Sequence, residues 1–407
     1  MKLGYNEIMI TSKYFNDIND FINLEIGIKR FQGNIERFHF NPIPLNEYSR
    51  KLFTNIETFH VYEYDDEIFK DGRIFKYVIW YLVNYSEYLQ EKEQGNICKN
   101  IEYTKKDRKK YGNTIPSEVK SLGYECFIYC YSLTTINIPS SISVLGKCCF
   151  YKCSSLTSIN IPSTISKIGD GCFYGCSSLI SINTPTPINE IGSRCFEYCS
   201  SLTSINIPSS VKSLGYHCFY GCSSLTSINI PSSINEIGDD CFNGCSSLKS
   251  INIPSSVISI GYWCFYECSS LTSMNIDNLQ FISEDRIFMN EPVLVSVQIP
   301  ENLQIINGKN IEKKDINKFI IPSSITKLGN ACFNGCSSLK SINIPSSISK
   351  IGHGCFDRCS SLTSFNIPSS ITSFGRGCFE ECGCEDELMK NKTIPSYCFE
   401  SDESWSD

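Results

Sequence analysis

The phrase "SSLTSINIPSSVKSLGYHCFYGC" fills Ser200–Cys222, and a near copy begins at Ser223. An Ile-Pro step keeps time along the chain at Ile115, Ile138, Ile161, Ile207, Ile230 and Ile253, with Thr184-Pro185 in the same phase, each 23 residues after the last. The phase continues through Ile276-Asp277 and Ile299-Pro300, shortens to 22 at Ile321-Pro322, and resumes at Ile344-Pro345 and Ile367-Pro368. A fixed period in this range means a solenoid, because one such unit cannot bury its apolar face until a neighbour stacks on it.

One coil can be read from its residues. In "LTSINIP", Ile205 and Ile207 share the inner face of a strand and Asn206 points outward between them. Proline then ends the pairing, since it has no N–H for a ladder. "VKSLG" reads as a second short extended piece, with Val211 and Leu214 inward and Gly215 allowing a sharp turn. "YHCFYGC" reads as one turn of α-helix or 3₁₀-helix carrying Cys218, Phe219 and Cys222 inside.

The consensus C-x-x-L-x-x-I-x-I-P-x-x-[IV]-x-x-[IL]-G-x-x-C-F-x-x-C resembles the BspA-like leucine-rich repeat, in a cysteine-rich, protist-type form. The resemblance runs from Ile115 to Phe399. In that family a small alanine usually stands where Cys172, Cys218 or Cys241 stands here. The resemblance implies a curved array that binds other macromolecules, sometimes on a cell surface, with a short strand instead of a long helix on the convex side. The expected fold is a mainly β solenoid of about twelve 23-residue coils, a parallel sheet plus a short convex strand and helical turn, preceded by a small α-rich N-terminal domain. The expected organisation is a cap at 1–99, a basic linker at 100–114, a solenoid at 115–382 with irregular coils at 277–318, and an acidic cap and tail at 383–407.

The chain has 24 cysteines, mostly two per coil. The reading with most support makes them small buried apolar filler. Zinc fits poorly, because C-x₃-C repeated in every coil gives a ladder and not a four-ligand cage. Disulfides between stacked coils are allowed by spacing alone. Cys148, Cys98 and Cys384 fall outside the pattern and are the candidate exposed thiols.

The row Ser204, Asn206, Ser227, Asn229 hardly changes from coil to coil and encodes little specificity. Variation gathers in the pair before each Cys-Phe, which makes Tyr216, His217, Tyr262 and Trp263 candidate partner-binding residues. His217 and His353 belong to the same set, but six coils of separation place them in different sites. The second variable region is Asp277–Lys318, where "VLVSVQIP" keeps a strand and the consensus otherwise fails. At its end Lys318, Phe319 and Ile320 are candidates too, Ile320 putting an apolar side chain on a polar face.

The first hundred residues lack the repeat. "TSKYFNDINDFINLEIGIKRF" reads as two helices, the first capped by Ser12. "IFKYVIWYLVNYSEYLQEKE" reads as a helix, or as a strand passing into one. The plain expectation is a cap over the open end of the array. The stretch from Tyr14 is also similar to the later half of an F-box. That resemblance implies docking to a ubiquitin-ligase adaptor through Phe21, Leu24, Ile28 and Phe31, although the leading Leu-Pro is missing.

Four histidines, no phosphate loop and no metal motif give no catalytic constellation, so a non-enzymatic scaffold without cofactor or metal is expected. A net charge of -7, of which -5 sits in 383–407, gives no reason to expect nucleic acid. The expected partner is a protein. With no secretory pattern and no apolar stretch long enough to span a membrane, a cytoplasmic adaptor is expected, with a cell-surface binding protein as the alternative. The basic run Lys105–Lys110 leaves room for a weak peripheral contact with an anionic membrane.

Overall fold

The computed structural model describes residues 5–283, 286–290, 292–313 and 318–400, and divides into two compact units, Met1–Gly123 and Tyr124–Asp407.

The first unit opens with helices Tyr5–Ser12 and Ile18–Gly27. Asp17 caps the second by accepting from the backbone of Asn19 and Asp20. Ser12 does not begin a helix as its sequence suggests. It ends one, buried, and its hydroxyl accepts from Asn34 Nδ2 at 3.1 Å. Phe21, Phe38 and Phe53 meet edge to face at the centre of this unit. Strands Thr58–Val61, Lys76–Asn84, Ile97–Tyr103 and Ser121–Leu122 then lie side by side, all parallel. The doubtful stretch is thus a strand followed by a helix, Tyr85–Glu93, started by a reciprocal cap between Asn84 and Glu87. The basic run forms the helix Lys105–Tyr111, capped by Thr104.

The second unit is a β-solenoid of stacked coils held by three rows of hydrogen bonds. The first row is the Ser-Ile-Asn strand: Ser204–Asn206 pairs in parallel with Ser227–Asn229 and with Ser181–Ile182. The second row joins Ser213–Leu214, Glu236–Ile237 and Ser259–Ile260. The third runs through the Cys-Phe segment, where His217, Phe219 and Gly221 donate to the carbonyls of Asp239, Cys241 and Asn243 in the next coil. That segment has the three-residue bonding of a 3₁₀ turn without continuing as a helix. It is a pair of tight turns, Tyr220 N to His217 O and Cys222 N to Phe219 O, each 3.1 Å. The chain can turn this way because two residues per coil, for example His217 and Gly221, adopt a left-handed backbone.

The interior answers the question of the cysteines. Phe127, Phe150, Phe173, Phe196, Phe219, Phe242 and Phe265 stack face to face with centroids 5.3 to 5.6 Å apart. The first cysteine of each coil packs beside this column as filler. The second also has a polar role: the Cys222 thiol donates to Phe196 O at 3.1 Å, and Cys176, Cys199 and Cys245 repeat the bond with Phe150, Phe173 and Phe219. Each such bond reaches back to the preceding coil and satisfies part of a carbonyl's second acceptor capacity. Burial pushes the Cys176 and Cys218 thiols up to about 12, so both are neutral donors at ordinary pH. All the cysteines carry free thiols, and all but Cys148 are buried. Cys98 and Cys384, expected at the surface, are therefore inside.

Candidate functional site

The repeat is interrupted once, and the interruption builds the site. After the first-row strand Ser273–Ile276 the chain forms the antiparallel strands Leu279–Ile282, Arg286–Met289 and Val293–Gln298. Val293–Gln298 then pairs in parallel with Lys327–Leu328 in the second row. The Ile299-Pro300 mark, read as the next beat of the first row, is not that beat: Ser273 pairs instead with Ile305. The extra antiparallel strands absorb the difference while keeping the second row in step.

Arg286 ties this insertion to the coils after it. Its guanidinium donates to Ser296 Oγ at 2.7 Å, Asn334 O at 2.9 Å and Ala331 O at 3.0 Å. Asn290, buried, donates to Val257 O in the coil before it. The coils on the two sides of the insertion consequently line one open cleft of about 1240 Å³. Tyr216, His217, Tyr262 and Trp263 stand on one wall, and Asn330, His353, Asp357 and Arg376 on the other. Tyr262 closes on the far wall, its hydroxyl lying where a Cβ on Gly354 would stand. The four aromatic candidates thus share one place, and His217 and His353, assigned to different sites by coil count, line the same cleft.

Trp263 is 57% exposed and Tyr216 48%. His217 and Trp263 occupy the left-handed position that Gly171, Gly354 and Gly377 fill in other coils. Beneath this wall Glu197 is buried, its Oε2 3.6 Å from His217 Nδ1 and 3.7 Å from Arg194 Nε. On the other side of the imidazole, Asp240 Oδ2 is 3.5 Å from Nε2. Burial pushes Glu197 up to about 7 against the pull of Arg194, and Asp239 up to about 6. Burial also holds His217 below its ordinary value, although Asp240 opposes this. Among the described residues no group of three or more His, Cys, Asp or Glu side chains is placed to hold a metal ion.

The remaining candidates separate. Ile320 is 76% exposed and pairs in register with Asn343, as its place in the repeat suggested. Phe319 is buried among Phe281, Phe288 and Phe333 and is unavailable to a partner; strand alternation turns it inward when Ile320 faces out. Lys318 begins the same strand. The four F-box-like residues do not make one exposed face. Phe21 and Phe31 are buried, Leu24 is half-buried and Ile28 is exposed.

Sequence reasoning did not single out Arg286, Glu197 or Arg376, which belong to no conspicuous motif. It also passed over a row of rings after the Cys-Phe step, Tyr129, Tyr151, Tyr174, Tyr198 and Tyr220, each within 5.7 Å of the next. The tyrosine moves between two adjacent positions of the consensus, which hides the row in the sequence.

A family model described as "BspA type Leucine rich repeat region (6 copies)" matches residues 111–226, 212–340 and 281–406. Among solved structures, a leucine rich cell surface protein from Faecalibacterium prausnitzii is 26% identical, with a TM-score of 0.41, covering 67% of this chain and 79% of that one. A leucine-rich repeat protein from Bacteroides ovatus is 25% identical, with a TM-score of 0.39, covering 71% and 89%. No curated protein matches the chain.

Proposed function

The chain belongs to the BspA-type leucine-rich-repeat family, and from that premise we propose that it is a non-enzymatic scaffold whose cleft receives a protein partner. The observation that carries this reading is that Tyr216 and Trp263, both large and exposed, line the same cleft. That left-handed position recurs from coil to coil, filled by Cys148, Arg194, His217 and Asp240 elsewhere, so it directs the Trp263 side chain and is not itself the mark of a site. Exposed aromatic side chains in a concavity are the commonest anchors of protein interfaces. The test is a photo-crosslinking side chain in place of Trp263 in the full chain, expressed in its own cell. Covalent capture of a protein that Tyr216→Ala abolishes supports the reading; no capture refutes it.

The finer reading is an adaptor in a reducing compartment. Its support is the thiol ladder, which needs S–H donors at Cys176, Cys199, Cys222 and Cys245. Intact mass after alkylation without reductant distinguishes this from a surface protein. The adaptor reading expects all 24 cysteines alkylated. Missing alkyl groups, or glycan mass at Asn84 or Asn391, would give the surface reading instead. Of these two, Asn84 is engaged as a helix cap and Asn391 sits exposed, accepting from Thr393.

A further inference from the structure

We infer that the cleft takes a basic segment, an extended stretch of a partner chain carrying arginine or lysine side chains. This rests on the cleft being a partner site and adds the chemistry of what enters it.

The charges lining the cleft are unequally engaged. Its four arginines all have partners. Arg194 lies 3.7 Å from Glu197 and over the Tyr216 ring at 5.3 Å. Arg358 is 3.3 Å from Glu381, and Arg376 is 3.2 Å from Glu400. Arg286 is occupied by its three acceptors in the insertion. Glu381 and Glu400 stand outside the lining and neutralise Arg358 and Arg376 from behind, while Glu197, also outside it and raised by burial to about 7, compensates Arg194 in part.

Of the five acids that line it, Asp357 is 3.9 Å from Arg358 and accepts from Asn334 Nδ2 at 2.7 Å, and the other four lack such compensation. Among the described residues Glu236, Asp239 and Glu380 have no cation within 4 Å, although the charge of Arg358 reaches Glu380. Asp239 accepts only a backbone bond, from Tyr262 N at 2.7 Å. Asp240 faces His217, whose burial disfavours the charged imidazolium that would pair with it. A cleft with engaged cations and unengaged carboxylates presents a negative potential to an incoming chain. Its exposed rings suit the same ligand, since tyrosine and tryptophan faces attract guanidinium and ammonium groups. Arg194 over Tyr216 is that contact already made within the chain. An acidic segment would meet unpaired carboxylates on both walls and gain nothing from the rings.

The test uses the full chain and two fluorescein-labelled peptides of equal length, one alternating serine with arginine and one alternating serine with glutamate. Fluorescence anisotropy is measured for wild type, Trp263→Ala, and Asp239→Asn combined with Asp240→Asn, each checked for an unchanged circular dichroism spectrum. We expect the arginine peptide to bind and the glutamate peptide not to. Each variant should weaken binding roughly tenfold, the scale of one cation–π or charged contact. If the paired Asn variant does not fold, Trp263→Ala and a salt titration of wild type carry the test. Arginine-peptide affinity that survives Trp263→Ala, or that does not fall with added salt, overturns the inference, as does equal binding of the glutamate peptide. A partner crosslinked from position 263 that seats no basic stretch there sinks this inference alone, whereas no crosslink at all sinks the partner site itself.

Discussion

Replacing Gly238 by alanine tests how closely the coils approach one another. A Cβ at Gly238 would stand 2.5 Å from Tyr216 N, 2.7 Å from Gly215 C and 2.8 Å from Tyr216 Cα, all backbone atoms of the preceding coil. Ordinary contact begins near 3.4 Å, so the two coils must part by roughly 1 Å, an overpacking penalty of about 1–3 kcal/mol. The second-row bond from Gly238 N to Leu214 O, 2.8 Å, lies at the point of separation, and its loss adds about 1 kcal/mol. The expected cost is therefore about 2–4 kcal/mol. Gly244 in the same coil is the control. It has φ +72, but a Cβ there would meet only Gly221, at 3.4 Å. Alanine at Gly244 bears left-handed strain of about 1–2 kcal/mol, offset by about 0.4–1 kcal/mol from a less flexible unfolded chain. Urea unfolding followed by circular dichroism, with the slope checked for constancy, reads both variants. A Gly238→Ala variant no less stable than Gly244→Ala would refute the close-contact reasoning.

Cys222→Ala should cost about 2 kcal/mol, through a lost thiol bond to Phe196 O and a small void beside the Phe stack, and Cys218→Ala less; urea midpoints decide. Arg286→Ala removes two hydrogen bonds holding the insertion to Ala331 and Asn334, and a third to Ser296 within it. It should speed hydrogen exchange in 286–298 while leaving coils near Cys172 unchanged. For Glu197, raised to about 7 by burial, the folded state binds the proton more tightly than the unfolded chain. Its contribution is full below about pH 4.3 and is lost as pH rises toward 7. His217, held below its ordinary value, acts in the opposite sense, and Arg194 and Asp240 are the other charges facing the pair. Glu197→Gln should therefore flatten the fall in stability between pH 4.5 and 7; an unchanged slope would show that Glu197 does not carry it.

The coil was legible because its constraints are local and repeated. "SIN" alternates at the period of a strand, and Ile205 and Ile207 are buried as that alternation requires. The Cys-Phe turn was less so: a spacing of four residues fits a helix face, but left-handed residues such as Tyr198 and Asp240 give no warning in their identity. The N-terminal strands were hidden for a different reason. Between Lys76 and Asn84 the run Tyr77–Val83 is apolar or aromatic without a break, and such a run has no period by which strand and helix can be told apart. The cleft was least visible. Its aromatic residues could be picked out one by one as variable positions, but their meeting with His353 and Arg376 depends on the insertion. There Ile299-Pro300 keeps the phase of the repeat without keeping its place.

Because each coil bonds to its neighbours at equivalent atoms, the regular part of the array has no preferred length. Ile142 and Ile165 fill corresponding places in coils that do not line the cleft, so a gene that gains or loses a whole phrase there still encodes a continuous stack. Such length changes would slide one wall of the cleft along unaltered, provided the insertion and the coils touching it stay intact. A chain of this kind can vary in number of coils among descendants while inheriting the same binding corner, and selection on the partner would fall on cleft positions such as Tyr216, Asp239, Trp263 and Arg376 far more heavily than on coils that do not line it.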